Sequence, residues 1–194
     1  MAEGGGRGID LDSPEVWVVE EVQDPVAFFR HLGLLIPEES VLYFEGCGIG
    51  PEAAKFYEAN RARNVVSVAR DTLFPVPKVF HVSMGPGVID GLVDLLTRNS
   101  RDGCFDHLKA YREGNLLFAF HDAFDGCDLL VSDRISRECI EAFCSKLGAA
   151  HRRERNENKR DLEPLRQLRC TLESSDTLRM NRPWWKKALL FWKK

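Results

Sequence analysis

The sequence predicts an α/β or α+β domain built on a single mixed β-sheet, covered by about four helices and followed by a C-terminal helical tail. Short β-branched runs alternate with helical patterns along most of the chain. Two strand-like runs within residues 107–124 flank Glu113 and Gly114, a turn sequence that predicts an antiparallel hairpin. Helical connections between the other strands predict some parallel pairing in the same sheet.

In the first half of the chain, predicted strands alternate with helices. Asp24 precedes Pro25, so an N-cap followed by a first-turn proline predicts a helix that ends before Pro37. Pro51 begins a second helix over residues 51–62. Apolar, mostly β-branched runs predict four strands, at residues 15–22, 40–46, 64–69 and 78–83.

The second half contains two further helices around the hairpin. The third helix follows the Gly-Pro-Gly sequence at 85–87, and its apolar residues recur at helical spacing: Ile89, Leu92, Val93 and Leu96. A short strand is predicted at 128–132, after the hairpin. Ser136 then caps the fourth helix, and Gly148 ends it.

Composition divides the chain into four segments. Residues 1–13 are rich in glycine and predict a disordered lead-in, and residues 14–149 hold the mixed domain. Residues 150–178 are strongly polar and predict a charged linker. Residues 179–194 predict an amphipathic Trp/Lys tail.

The charge of the chain is unevenly distributed. Residues 182–194 contain five basic and no acidic residues, so the rest of the chain has a net charge of −8 within a total of −3. This balance argues against a nucleic-acid-binding protein. The N-terminus has no apolar signal region, so we expect a cytoplasmic protein whose six cysteines stay reduced. No stretch approaches 18 apolar residues.

The last residues of the chain, PWWKKALLFWKK, predict a two-sided helix. On a helical wheel the apolar residues Trp184, Trp185, Ala188, Leu189, Phe191 and Trp192 share one side, and Lys186, Lys187, Lys193 and Lys194 share the other. This composition is typical of a helix that docks on an anionic membrane surface or in the groove of a protein partner. Alternatively, the tryptophans fold back and complete the core of their own domain.

The sequence VLYFEGCGIG at residues 41–50 is a candidate cofactor loop. Gly46, Gly48 and Gly50 follow a predicted strand and precede a helix, where backbone N–H groups can approach a nucleoside. The stretch resembles the nucleoside-binding loop of S-adenosylmethionine-dependent methyltransferases of the Rossmann type. This resemblance implies Asp71 as the ribose partner, although Phe44 stands where the family has an acidic residue. The alternative is a simple strand-to-helix turn.

A candidate metal site lies at the hairpin. The turn brings residues 107–112 beside 115–121, so His107 could face His121, and Asp122 adds a carboxylate. The alternative is a polar turn between two strands. His81, in an apolar strand, is interpreted as a core histidine, and Cys47 at a helix N-terminus as the candidate reactive thiol.

These features predict a non-catalytic cytosolic binding or adaptor protein, in one version an immunity-type inhibitor, which docks through its C-terminal tail. The partner is an unknown protein or an anionic membrane surface, the latter placing the chain at the inner face of a membrane. No cofactor is expected under this hypothesis. The alternative function is a nucleoside-cofactor enzyme that uses residues 46–50. The sequence contains no GxSxG, Walker or HExxH motif.

Overall fold

The computed structural model describes residues 8–72 and 74–156. It contains seven strands: β1 (Glu15–Val19), β2 (Val41–Gly46), β3 (Lys78–Ser83), β4 (His107–Arg112), β5 (Asn115–Phe120), β6 (Leu129–Ser132) and β7 (His151–Arg155). It contains four α-helices: α1 (Pro25–Leu35), α2 (Pro51–Ala59), α3 (Val88–Arg98) and α4 (Arg137–Leu147). The prediction of one sheet with four helices is therefore confirmed for this part of the chain.

The strands form a single sheet in the order β3-β2-β4-β5-β6-β1-β7. Every ladder between these strands is antiparallel, so the predicted parallel pairing is wrong. The helical connections do not join neighbouring parallel strands. For example, α1 connects β1 to β2, and three strands separate these two in the sheet. The helix α2 is followed by residues 60–77, which return the chain so that β3 runs opposite to β2.

The hairpin of β4 and β5 forms as predicted, with Glu113 and Gly114 both at positive φ in the turn. The predicted strand at 64–69 does not form. That stretch contributes only an isolated parallel bridge between Val68 and Ile9. The stretch packs on the face of the sheet instead, where Ala69 O accepts a hydrogen bond from Lys109 Nζ and Val68 lies in an apolar cluster with Tyr43 and Tyr111.

β7 occupies residues 151–155, at the start of the segment that the sequence indicated as a charged linker. It pairs with β1 along its whole length. Arg153 lies 2.9 Å from the Glu15 carboxylate, and its guanidinium stacks 5.5 Å from the Trp17 ring centroid. The strand is polar because it is an edge strand, where charged side chains oppose pairing with other chains.

One face of the sheet packs against the helices. Phe28 of α1 lies at the centre of this core and makes ring contacts with Phe29, Phe118, Phe120, Phe124 and Phe143. Alternate residues of β2, such as Leu42 and Phe44, point to this side. The helix face therefore contains an extended and apolar core.

The opposite face is covered by chain segments without helices. Residues 8–13, from the stretch expected to be a lead-in, lie here beside residues 67–69: Ile9 N–H donates to Ser67 O at 2.7 Å. At Gly8 a Cβ atom would lie 2.4 Å from the Val68 carbonyl carbon, so this approach requires glycine. Asn156 fixes the same segment by donating to Leu11 O and Ser13 O.

Two predicted segments, the remainder of the linker at 157–178 and the tail at 179–194, lie outside the described residues. None of the helices that the structure describes has the length and apolar character needed to cross a lipid bilayer.

Candidate functional site

Ionisable side chains converge on the sheet face opposite the helices. This set, here called the polar cluster, comprises Glu45, Asp71, His107, Lys109 and His121. Glu45 lies on β2, His107 and Lys109 lie on β4, and His121 follows β5. Alternation along each strand sends these side chains away from the helix core, while residues 60–72 cross the same face and bring Asp71 to them.

Glu45 is fully buried, and three donors satisfy its carboxylate. Oε2 accepts the Tyr43 hydroxyl at 2.7 Å and the Asp71 N–H at 3.2 Å, while Oε1 accepts the Thr72 N–H at 2.7 Å. Burial, reinforced by the bond to Glu45, raises the pKa of Tyr43. These bonds hold the segment at 71–72 against β2.

Lys109 is buried within the sheet, with 1% of its side chain exposed. Its Nζ donates to Asp71 Oδ1 at 2.8 Å and to Ala69 O at 2.7 Å, and lies 6.0 Å from the Tyr43 ring centroid. Burial alone would raise the pKa of Asp71, but its contacts with His121 and Lys109 outweigh that effect and lower it. Asp71 is therefore an ionised partner of a buried lysine.

The two histidines of the cluster have different surroundings. His107 Nδ1 accepts the Asp122 N–H at 3.0 Å, and because a backbone amide only donates, the proton of the neutral ring is on Nε2. That Nε2–H donates to Thr72 Oγ1 at 2.9 Å. His121 is 38% exposed, and its Nδ1 lies 3.0 Å from Asp71 Oδ2. Solvent therefore reaches the cluster on the His121 side.

The structure brings His107 and His121 together, with ring centroids 6.4 Å apart. The Asp122 carboxylate lies 3.5 Å from His107 Nδ1, on the outer side of that ring. The carboxylate close to the ligand atoms of both histidines is instead that of Asp71. Sequence reasoning did not place Asp71 here, because nothing local in the sequence shows that residues 60–72 cross the face of β2 and β4.

The glycine loop packs against the chain at residues 102–106. The Cys47 N–H donates to Asp106 Oδ2 at 2.8 Å, and the Gly50 N–H donates to Gly103 O at 2.8 Å. A Cβ at Gly46 would lie 3.0 Å from Asp106 N, and one at Gly48 would lie 3.2 Å from Asp102 O. Amides that could cradle a nucleoside are thus already bonded, which favours the strand-to-helix turn.

Beside this loop, Phe74, Pro75 and Val76 form a protruding stretch, here called the apolar tip. Phe74 is 89% exposed and Val76 is 75% exposed. The Cys47 thiol, also exposed, donates to Pro75 O at 3.6 Å. Sequence reasoning did not single out this stretch, although the aromatic Phe74 beside Pro75 and Pro77 is a visible signal in the sequence.

A shallow charged groove lies at the hairpin end of the same face. Its volume is about 470 Å³, and Arg61, Arg63, Arg112, Glu39 and Glu113 contribute to its lining. Arg112 is paired with both glutamates, at 2.5 Å and 3.5 Å. Its open, mixed-charge walls lack the apolar enclosure typical of small-molecule sites.

His81 lies near this groove and is a partly buried histidine with a partner, as its apolar strand predicted. Its Nδ1 lies 2.9 Å from the Tyr111 hydroxyl, and its ring contacts that of Tyr43. Burial, together with the charge of Arg61, lowers the pKa of His81. His81 is therefore neutral near pH 7.

Burial raises the pKa values of the Cys104 and Cys144 thiols to about 11. The predicted docking residues of the tail lie outside the described part of the chain: Trp184, Trp185, Lys186, Lys187, Leu189, Phe191, Trp192 and Lys193.

Comparisons with protein-family models, with curated proteins and with solved structures found no match for this chain.

Proposed function

We propose that this chain is a non-catalytic binding or adaptor protein that docks on a second protein through the apolar tip and the Trp/Lys tail. The observation that carries the proposal is the near-complete exposure of Phe74 and Val76 on an otherwise well-packed domain. Exposed aromatic side chains that enter a partner's pocket are typical anchors of protein interfaces.

The apolar tip is held on a fixed base. Lys109 binds Ala69 O, and Glu45 accepts the N–H groups of Asp71 and Thr72. Both of these side chains are buried in the sheet. These bonds anchor the chain on the N-terminal side of the tip, which reduces the conformational freedom that the segment loses when it binds a partner.

The charge distribution supports a protein partner over an anionic membrane. The basic tail would be attracted to anionic lipids, but the rest of the chain has a net charge of −8 and would be repelled from the same surface. A protein with an apolar groove accepts the aromatic side of the tail helix without that penalty. The acidic body also suits a basic target, as in an immunity-type inhibitor acting in the cytoplasm.

The alternative, a nucleoside-cofactor enzyme, receives no support from the described residues. The amides of Cys47 and Gly50 donate to protein acceptors. The Asp71 carboxylate, the implied ribose partner, is bonded to Lys109. A cofactor would have to displace these bonds, so the binding hypothesis requires fewer changes.

The proposal is tested by affinity capture from the native cell, followed by titration of the captured protein in purified form. The full chain is compared with Phe74→Ser and with a triple serine variant of Trp184, Trp185 and Trp192. The matched control is Leu34→Ser, because Leu34 is an exposed apolar residue on α1. We expect both test variants to weaken binding at least tenfold, while the control binds normally.

Equal binding by the full chain and both test variants would refute the proposal. Sedimentation with phosphatidylserine vesicles tests whether the tail binds an anionic membrane instead of a protein partner. If the full chain binds vesicles in a salt-sensitive way and the triple variant does not, the tail is a membrane anchor and the protein-partner proposal fails.

A further inference from the structure

We propose that Asp71, His107 and His121 form a binding site for a divalent transition metal, with Zn²⁺ as the best match, independently of the proposed docking function. One ligand atom from each of the three side chains lies within 4.8 Å of the others. The ligands come from three separate elements: the segment that crosses the face, β4, and the residue after β5. Two imidazoles and one carboxylate form a ligand set that Zn²⁺ commonly uses.

The carboxylate of Asp71 supplies an independent observation. Its Oδ2 is buried and completes no hydrogen bond in the described part of the chain, although His121 Nδ1 lies 3.0 Å away as an ion-pair partner when that ring is protonated. When the His121 ring is neutral, Oδ2 is a buried anionic oxygen without a hydrogen-bond donor, and such a group is costly and rare in native structures. A metal ion between Asp71 and His121 would satisfy that oxygen.

The surrounding charges are arranged to direct the cation to one oxygen. Lys109 bonds Oδ1 of Asp71, which fixes the orientation of the carboxylate and leaves Oδ2 on the side of His121. Glu45 adds a second buried carboxylate nearby, through its bonds to the backbone of residues 71–72. Two carboxylates and one ammonium leave the site with a net negative charge.

His107 is placed to bind through Nε2, which faces the segment at residues 71–72 through its bond to Thr72. Coordination requires the ring proton to move from Nε2 to Nδ1, so Thr72 loses this hydrogen bond and the Asp122 N–H loses Nδ1 as its acceptor. Once that amide turns away from Nδ1, the Asp122 carboxylate, now 3.5 Å from Nδ1, can accept the relocated proton's hydrogen bond. A carboxylate behind a ligating histidine is the usual means of orienting such a ligand.

The site would hold three protein ligands and leave a fourth position open to water. His121 is 38% exposed, so solvent and metal can enter on its side. The metal would join the crossing segment to β4 and to the end of β5. Its expected physical effect is therefore to fix residues 71–72, at the base of the apolar tip.

The test uses the full chain, stripped of metal with a chelator and titrated with Zn²⁺ and Co²⁺. We expect one equivalent to bind and to raise the melting temperature. His121→Gln is expected to weaken Zn²⁺ affinity by at least tenfold, and Asp122→Asn by about tenfold as an orienting partner. The matched control, His31→Gln, changes a histidine of α1 and should bind as the original chain does.

The visible spectrum of bound Co²⁺ identifies the ligands. Histidine and carboxylate ligation gives d–d bands without a thiolate charge-transfer band, and His121→Gln should abolish these bands. Equal Zn²⁺ affinity in the His121→Gln variant and the original chain would overturn the proposal. So would a thiolate charge-transfer band, because it would assign the metal to cysteines.

Discussion

At the scale of single residues, Lys109 determines how the polar cluster is organised. It is a buried lysine on β4 whose side chain lies on the face opposite the helices, and its charge is matched by Asp71 at 2.8 Å. A buried ion pair of this kind adds little net stability over an apolar pair, but removing one partner leaves an uncompensated charge. The pair therefore specifies where residues 69–72 attach to the sheet.

Replacing Lys109 with alanine should lower the free energy of unfolding by about 3–5 kcal/mol, because Asp71 would remain buried without its partner. The double variant Lys109→Met with Asp71→Asn should recover most of that loss. Urea unfolding curves measure both effects. The exposed Lys55→Ala serves as the control, and a single variant as stable as that control would contradict this role for Lys109.

His81 should make stability depend on pH below neutrality. Burial beside Tyr43 and Tyr111, with Arg61 nearby, lowers its folded-state pKa below the unfolded value of about 6.5. The unfolded chain then binds the proton more readily, so this contribution is complete above pH 6.5 and declines as the pH falls through that value towards the folded pKa.

His81→Asn should remove this part of the pH dependence, since asparagine does not titrate. The free energy of unfolding measured between pH 7.5 and 5 is expected to fall less steeply in the variant than in the original chain. If the free energy of unfolding fell equally steeply with pH in the two proteins, His81 would not couple protonation to folding.

At the scale of secondary structure elements, close packing between helices explains a residue that helix propensity disfavours. Gly91 lies inside α3, where glycine is unfavourable. A Cβ at this position would lie 2.5 Å from the Phe56 ring of α2, so the glycine allows the two helices to approach. The close packing of α3 against Phe56 of α2 therefore gives the reason for a glycine inside this helix.

Gly91→Ala should therefore be destabilising by roughly 1 kcal/mol net, because overpacking costs about 1–3 kcal/mol and the gain in helix propensity is about 1 kcal/mol. In a Phe56→Leu background the same change should become neutral or stabilising, since the aromatic ring is gone. Thermal unfolding of the four proteins of this cycle measures the coupling. Identical effects of Gly91→Ala in both backgrounds would exclude the Phe56 clash.

At the scale of the whole molecule, local signals predicted the helices and the hairpin but not how distant elements meet. Asp24 with Pro25 and the Ser136 cap are read from neighbouring residues, and the helices begin where these predict. β7 was not predicted, because its polar sequence has no apolar strand pattern and it forms a strand by pairing with the distant β1. The all-antiparallel order likewise depends on which distant strands pair.

In the candidate site, too, local features were predicted from the sequence and contacts between distant segments were not. The meeting of His107 and His121 follows from the hairpin and was predicted from the turn. The place of Asp71 depends on the path of residues 60–72, which were expected to contain a strand and instead cross the sheet. The apolar tip becomes apparent only when the burial of its neighbours is known.

The docking hypothesis requires the indoles of the tail to be free until a partner receives them. Fluorescence of the full chain with Trp17→Phe tests this directly, because only Trp184, Trp185 and Trp192 then report. We predict the emission of water-exposed indoles, open to quenching by acrylamide, and a shift to shorter wavelength on addition of the captured partner. Short-wavelength emission protected from acrylamide in the isolated chain would contradict the hypothesis, because the tail would already be buried against its own protein.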